Sequence, residues 1–197
     1  HRVITGEGEA EIVFESSGTT SGSASRHYVL DAGLYAESFT RGFKLFYGDP
    51  ADYCILALLP SYLERKNSSL AYMAAELIRQ SGHPAGGFYL ENLEELASRL
   101  KELEASGQKT LLLGVSFALT DMVTKYPLDL HNTIVMETGG MKGRRKEMTR
   151  EELHSLMKEG FGISEVHSEY GMTELLSQAW SSGDGKFRCP PWMKVSI

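Results

Sequence analysis

Short runs of apolar residues alternate along the chain with stretches in which apolar residues recur every three or four positions. Residues 53–59 form one continuous apolar run that ends at Pro60, which predicts a strand buried on both faces. The following stretch has helical spacing and ends at Gly82. Its apolar positions are Leu70, Met73, Ala74, Leu77 and Ile78.

Two helix starts carry capping signals. Asn92 is followed three residues later by Glu95, and Thr149 is followed at the same spacing by Glu152. The pattern also predicts strands over 11–15, 87–90, 110–115, 133–137 and 163–167, and helices over about 30–46, 92–107 and 117–125 and from 150 onward.

Regular alternation of strand and helix indicates an α/β fold with a mostly parallel sheet covered by helices. Ligands of such sheets bind beyond the carboxyl ends of the strands, so candidate chemistry is expected where strands run into loops. The 197 residues fit one domain, and 42% apolar with 23% charged residues is typical of a globular protein.

Charge, hydropathy and cysteine content indicate which partners and which location to expect. The net charge of -6 disfavours nucleic acid as a partner, and the basic run 142–146 is the one local exception. No apolar stretch approaches the length of a membrane span. Only Cys54 and Cys189 are present, which suits a reducing compartment, and we expect a cytoplasmic location.

The first candidate site is the loop that follows the strand predicted over 11–15. Seven of the eleven residues from Ser16 to Arg26 carry hydroxyl groups and two are glycine. Such a loop can turn backbone and hydroxyl donors toward an oligophosphate, and Arg26 could add a positive charge. Composition alone favours a flexible Ser/Gly loop instead, and the Walker pattern is absent.

Two further candidate sites are loops that follow later strands. In the segment 168–174, Tyr170 offers a flat face for a base, Thr173 a hydroxyl for a phosphate and Glu174 an oxygen ligand for magnesium. A helix-prone stretch with Leu175 and Leu176 follows it. In the segment 137–140, two glycines allow close approach to a planar ring, although a plain turn explains them equally well.

The sequences of these three loops resemble the motifs of one family. Residues 16–20 (SSGTT) resemble the phosphate-loop signature of the adenylate-forming superfamily, and residues 170–174 (YGMTE) resemble its Y-G-x-T-E motif about 150 positions later. Residues 138–140 (TGG) stand where that family has its adenine-flanking loop. Within the superfamily the chain is most similar to the acyl-protein synthetase branch of bacterial luminescence operons. Phenylacetate-CoA ligases come next, on residues 114–119.

The resemblance implies a role for each matching residue. Residues 1–197 would form a nucleotide- and acyl-binding fragment of the large N-terminal core domain, which binds ATP and Mg²⁺. Thr173 would contact the α-phosphate and Glu174 would bind magnesium, and these two would be the catalytic residues. The remaining nucleotide-binding residues would be Ser17, Gly18, Thr19 and Thr20 at the phosphates, and Gly139, Gly140, Tyr170 and Gly171 around the adenine.

The chain also departs from the family pattern. The lysine that usually follows the phosphate loop is missing, unless Arg26 replaces it. The sequence stops before the family's ribose-binding aspartate and its C-terminal lid domain with the catalytic lysine. We therefore expect a core without its lid.

The resemblance implies ATP-dependent activation of a carboxylic acid, with a fatty acid expected, to acyl-AMP, followed by acyl transfer to a protein thiol. An acyl reductase or transferase is a possible partner of such an enzyme. Two alternatives stay open: an acyl-CoA ligase of the phenylacetate-CoA type, and a nucleotide-binding module without catalysis. We expect Cys54 and His167 to be packing residues, and Cys189 is a weak candidate for an acyl acceptor.

Overall fold

The described residues form two β-sheets, and helices pack around the larger one. The computed structural model describes residues 2–4, 8–16, 25–60, 67–90, 92–139 and 148–195. The small sheet consists of β1 (Arg2–Ile4), β2 (Ile12–Glu15) and β3 (Arg26–Val29). The large sheet consists of β4 (Cys54–Leu58), β5 (Gly87–Tyr89), β6 (Thr110–Val115), β7 (Thr133–Thr138), β8 (His167–Gly171) and β9 (Gln178–Ser181).

The large sheet is mostly parallel, as predicted. Its strand order is β5-β4-β6-β7-β8-β9, and every neighbouring pair is parallel except β8 with β9. Because β6, β7 and β8 run in the same direction, their carboxyl ends meet at one edge of the sheet.

Five α-helices lie between the strands in the described part of the chain, and the predicted capping residues occupy the ends of three of them. They are α1 (Ala32–Tyr47), α2 (Ser69–Ser81), α3 (Leu93–Ala105), α4 (Ser116–Lys125) and α5 (Arg150–Phe161). Asn92 accepts a hydrogen bond from the Glu95 amide, and Thr149 with Glu152 forms a full capping box. Gly82 ends α2 in the left-handed conformation that a C-terminal cap requires.

The core lies around the two central strands. Every residue of β4 and of β6 is buried, which confirms the prediction of a fully buried strand from the apolar run that contains β4. Cys54 in β4 is fully buried, and burial raises the pKa of its thiol to about 11, so it is a packing residue as expected.

The small sheet joins the rest of the molecule through aromatic side chains. Phe14 of β2 meets the ring of Tyr35 edge to face, with ring centres 5.5 Å apart. Tyr35 contacts Phe39 at 4.9 Å and Tyr72 at 5.9 Å. Residues of the small sheet and of α1 and α2 therefore share one aromatic cluster: Phe14, Tyr35, Phe39 and Tyr72.

The structure departs from the sequence predictions at three places. The strand expected over 163–167 begins only at His167, because the Ile163 amide bonds to Lys158 beyond the left-handed Gly162 and completes the end of α5. The helix-prone stretch with Leu175 and Leu176 forms a turn that leads into the strand β9. The strand β3 was not predicted; it pairs with β2 as a hairpin before α1 begins.

None of the helices in the described part of the chain combines the length and the apolar character that crossing a bilayer requires.

The contact between α4 and α5 gives a test of the packing. A Cβ added at Gly160 would collide with the Val123 side chain, so Gly160→Ala should destabilise the protein by about 1–3 kcal/mol. This loss should appear although alanine favours a helix by about 1 kcal/mol. Urea unfolding measures it.

The double variant Gly160→Ala/Val123→Ala is the matched control, because it removes the methyl group that the new Cβ meets. It should lose less stability than the sum of the two single variants. Strict additivity would contradict this packing.

Candidate functional site

Polar side chains gather where β6, β7 and β8 end. In the register of these strands Gly114 stands opposite Glu137, and Thr138 stands opposite Glu169. Neighbours in register point to the same face of a sheet, and successive residues point to opposite faces. Glu137 and Glu169 therefore lie on opposite faces of the same edge.

Glu137 is the centre of the group on the α4 and α5 side. It is 5% exposed, and its Oε2 accepts a hydrogen bond of 3.0 Å from Ser116 Oγ at the start of α4. Ser116 Oγ also lies 2.6 Å from the carbonyl oxygen of Gly139. From α5, His154 Nε2 and Arg150 Nη2 lie 3.7 and 3.9 Å from Glu137 Oε1. One carboxylate thus connects α4, α5 and the turn after β7.

The surroundings keep Glu137 ionised. Burial acts to raise the pKa of Glu137, but the polar groups of His154, Ser168 and Ser116 and the charge of Arg150 outweigh it and lower the pKa. A buried ionised carboxylate needs such partners.

Glu169 on the other face has a pKa that is shifted in the opposite direction. It is 6% exposed and accepts a short hydrogen bond from Thr138 Oγ1. Burial raises the pKa of Glu169 to about 7; the Thr138 hydrogen bond opposes this rise and the charge of Glu137 adds to it. Burial therefore favours the neutral form of Glu169 up to a higher pH than for an exposed glutamate.

Tyr170 and Gly139 present open surfaces at this edge. Tyr170 is 46% exposed and its ring meets Phe187 edge to face at 5.9 Å. Arg150 lies over the other ring of this pair, 5.1 Å from the centre of Phe187. Gly139 has a φ of 67°, which favours glycine, and it is exposed.

The segment 168–174 differs from the loop that was expected. Residues Ser168 to Gly171 belong to β8 and pair with β9, so the motif begins inside the sheet. The following turn includes a hydrogen bond of 3.0 Å from the Leu175 amide to Met172, and Leu176 has a positive φ of 47°. Thr173 is half-buried and Glu174 is exposed in this turn.

Gly171 shows why this position lacks a side chain. A Cβ built there would lie 2.7 Å from Glu169 Oε1 and 3.5 Å from the Gln178 side chain. Gln178 in turn donates a hydrogen bond of 2.8 Å to Tyr35. Gly171 therefore gives room to the buried polar groups of β8 and β9.

The base of the β2–β3 hairpin is well defined. Ser16 Oγ accepts hydrogen bonds from the amide and hydroxyl of Ser25 at 2.9 and 2.8 Å. Arg26, which was expected to supply charge to a phosphate, bonds to Glu15 at 2.9 Å instead. The predicted phosphate ligands Ser17, Gly18, Thr19 and Thr20, and Gly140 of the adenine turn, lie outside the described residues.

His167 and Cys189 are the remaining candidates from the sequence. His167 packs against the Tyr47 ring at 5.6 Å and its Nδ1 lies 3.3 Å from the Tyr47 hydroxyl, which agrees with a packing role. Cys189 is partly exposed, and its role as an acceptor stays a prediction. No group of three or more metal-binding side chains occurs among the described residues.

The sequence analysis missed the buried groups around Glu137 and Glu169. A glutamate near the end of the apolar run 133–137 was a usable signal, because a charge inside a buried strand needs partners. Its partners Arg150 and His154 come from a helix whose facing side the sequence does not reveal.

The two buried glutamates predict different effects of pH on stability. Raising a pKa from 4.5 to about 7 corresponds to roughly 3 kcal/mol, and this stability is present below pH 4.5 and lost as pH rises through 7. Relative to the wild type, Glu169→Gln should gain up to about this amount of unfolding free energy between pH 5 and pH 8. Urea unfolding at both pH values measures the gain.

Glu137→Gln is the control. Its pKa lies below the ordinary value, so the stability that depends on its charge is lost only as pH falls below that value. The effect of Glu137→Gln should therefore change little between pH 5 and pH 8. An effect of Glu169→Gln that is equally constant would show that Glu169 is ionised throughout.

The comparisons with known proteins give little beyond this geometry. No protein-family model matches the chain. No curated protein matches it. Among solved structures, a mutant form of coronafacic acid ligase from Pectobacterium brasiliense is similar, with a TM-score of 0.45 and 20% identity. The match covers 68% of this chain and 24% of that chain, so this chain spans about a quarter of the ligase's length. At this level of similarity, neither the function nor the site residues of the ligase are transferred to this chain.

Proposed function

We propose that this chain binds ATP and activates a carboxylic acid as acyl-AMP, and that the acyl group then passes to a protein thiol. The proposal is supported by the position of two segments that resemble motifs of the adenylate-forming superfamily. The Gly139 turn follows β7, and the segment from Tyr170 to Glu174 begins in the adjacent parallel strand β8. Ligands of parallel sheets bind beyond such strand ends.

In this proposal the adenine lies between the Gly139 turn and Tyr170. Gly139 and Gly140 allow the backbone to approach the flat base, and Tyr170 offers its exposed ring for stacking. Phe187 supports the Tyr170 ring from its edge. At Gly171 a side chain would meet the Glu169 carboxylate, so only the backbone of this residue would face the base.

Thr173 and Glu174 take the phosphate side of the nucleotide in this proposal. Magnesium in nucleotide sites usually needs one or two carboxylates, with the other ligands coming from phosphates and water. The exposed carboxylate of Glu174 fits this need without a larger cluster of ligands. When bound, Mg²⁺ would neutralise phosphate charge. Ser17, Gly18, Thr19 and Thr20 are the proposed ligands of the β- and γ-phosphates.

The reaction needs positioning more than a protein base. The ionised acid already has the oxygen that bonds to the α-phosphorus. The bond from that phosphorus to pyrophosphate breaks, and pyrophosphate leaves with the electron pair. In the second step a thiolate bonds to the acyl carbon and AMP leaves. Thr173 would hold the α-phosphate, and the turn after β8 would keep it in place by its own hydrogen bond.

The nature of the acid and the acceptor is the finer part of the proposal. We propose a fatty acid and a protein cysteine, with an acyl reductase or transferase as a possible partner, and CoA as the alternative acceptor. A nucleotide-binding module without catalysis is favoured by one observation: Arg26, the candidate substitute for the missing lysine, is bonded to Glu15. ATP–pyrophosphate exchange separates the enzyme from the module.

Tyr170→Ala tests the base site. The chain should bind a non-hydrolysable acyl-AMP mimic, and loss of the stacking ring should weaken binding about tenfold. The unfolding free energy should change little, because Tyr170 is 46% exposed. Calorimetry measures binding, and Leu34→Ala, at a 59% exposed apolar residue of α1, is the control. Failure of the folded wild type to bind the mimic would refute the proposed function.

Glu174→Gln tests the metal ligand. The substitution keeps the shape but removes the charge that a hard cation requires, so ATP binding should weaken in the presence of Mg²⁺ and stay nearly unchanged without it. Glu94→Gln, on the exposed side of α3, should alter neither. Equal weakening of ATP binding with and without Mg²⁺ would show a role for Glu174 that does not involve the metal.

A further inference from the structure

Arg150, the first residue of α5, connects the buried carboxylate of Glu137 with the aromatic pair at the proposed base site. Its Nη2 lies 3.9 Å from Glu137 Oε1, and its guanidinium carbon lies 5.1 Å from the centre of the Phe187 ring. The Phe187 ring meets the Tyr170 ring edge to face at 5.9 Å. These four side chains therefore form one continuous row of contacts that begins in the interior and ends at the exposed ring of Tyr170.

The strands explain why these groups meet. Glu137 of β7 stands opposite Ser168 of β8, and Tyr170 comes two residues later in β8. Because side chains alternate between the two faces of a sheet, Glu137, Ser168 and Tyr170 share one face. Helix α5 lies on that face too, since His154 and Arg150 both approach the Glu137 carboxylate. A side chain at the start of α5 can thus reach both Glu137 and the ring that supports Tyr170.

Phe187 depends on side-chain contacts for the position of its ring. It is half-buried and follows the bend at 182–185. The next residue, Arg188, is fixed to β9 by two backbone hydrogen bonds with Trp180, of 2.8 and 3.0 Å. The backbone beside Phe187 is therefore held by the sheet, whereas its ring is held by the edge contact with Tyr170 and by Arg150 over its face.

The distance between Arg150 and Glu137 leaves the guanidinium free to stack. At 3.9 Å it is too long for a hydrogen bond, and the nearest donor to this carboxylate is Ser116 Oγ, at 3.0 Å from Oε2. Glu137 thus attracts Arg150 by charge and sets the side of the sheet on which it lies. The planar group then lies over an aromatic face, which is a contact that arginine makes better than lysine.

We propose that Arg150 is a positioning residue of the base site. Its guanidinium covers the face of Phe187, and Phe187 in turn holds the Tyr170 ring in the orientation that receives the base. This inference rests on the proposed function, in which Tyr170 stacks on the adenine. It gives Arg150 a role in nucleotide affinity that is exerted through two rings and not by contact with the nucleotide.

The first experiment compares Arg150→Met with Arg99→Met, using Mg-ATP as the probe in calorimetry. Arg150→Met keeps the length of the side chain but removes the charge and the flat group, so binding should weaken about fivefold. Arg99 of α3 is a matched arginine, because its side chain is 39% exposed against 45% for Arg150 and it is also paired with a carboxylate, that of Glu102. Arg99→Met should bind Mg-ATP like the wild type.

Arg150→Lys separates the stacking role from support of the fold. A lysine keeps a positive charge for Glu137, so the urea midpoint should stay close to that of the wild type. It lacks the planar group, so Mg-ATP binding should still weaken, by less than in Arg150→Met. Arg150→Lys that binds Mg-ATP as tightly as the wild type would show that charge alone suffices and would overturn the inference.

A double-mutant cycle tests whether Arg150 acts through Phe187. Phe187→Leu removes the ring and keeps apolar bulk, and it should weaken Mg-ATP binding about as much as Arg150→Met does. In the Phe187→Leu background, Arg150→Met should have little further effect, because the ring that it positions is already gone. An equal further loss in that background would show that Arg150 contacts the nucleotide directly, and the positioning role would be wrong.

Two other results would also overturn the inference. Unchanged Mg-ATP affinity in Arg150→Met, with a lower urea midpoint, would show that Arg150 serves only the buried charge of Glu137. A folded wild type that does not bind Mg-ATP would refute the proposed function, and the role of Arg150 with it. The two failures are distinguishable because the first requires a wild type that binds.

Discussion

The ionised carboxylate of Glu137 holds the candidate edge of the large sheet together. It lies one residue before the end of β7, and its charge is tolerated in the interior only because Ser116, Arg150 and His154 surround it. These partners come from the N-terminal parts of two helices, and Ser116 also contacts the carbonyl of Gly139. A single buried carboxylate thus links α4 and α5 and, through Ser116, the Gly139 turn.

The alternation of side chains along a strand gives this edge two unlike faces. Glu137 lies with the helices α4 and α5, and Glu169 lies on the opposite face beside Thr138. The first carboxyl group keeps its charge because cations and donors face it, whereas the second is largely desolvated. An acid-activating site at this edge would gain from the difference, because a neutral Glu169 does not repel an incoming carboxylate.

Sequence reasoning succeeded where local chemistry decides the outcome. The apolar runs of β4 and β6 and the caps at Asn92 and Thr149 depend on neighbours in the chain, and all four were predicted. It failed where a distant partner decides. Residues 178–181 form a strand only because β8 offers them an edge, and Arg26 is occupied only because Glu15 stands opposite it in the hairpin. The proposed nucleotide residues came from resemblance to a family, and their roles stay predictions.

The aromatic cluster between the small sheet and the helices α1 and α2 makes their contact sensitive to temperature. Phe14, Tyr35, Phe39 and Tyr72 join the hairpin of the small sheet to α1 and α2 by ring contacts, whereas the strands of the large sheet are joined by a hydrogen-bonded ladder. Apolar contacts weaken on cooling, since the entropy gained by releasing water falls. On cooling toward freezing, the contact of the hairpin with α1 and α2 should therefore weaken more than the hydrogen-bonded ladder of the large sheet.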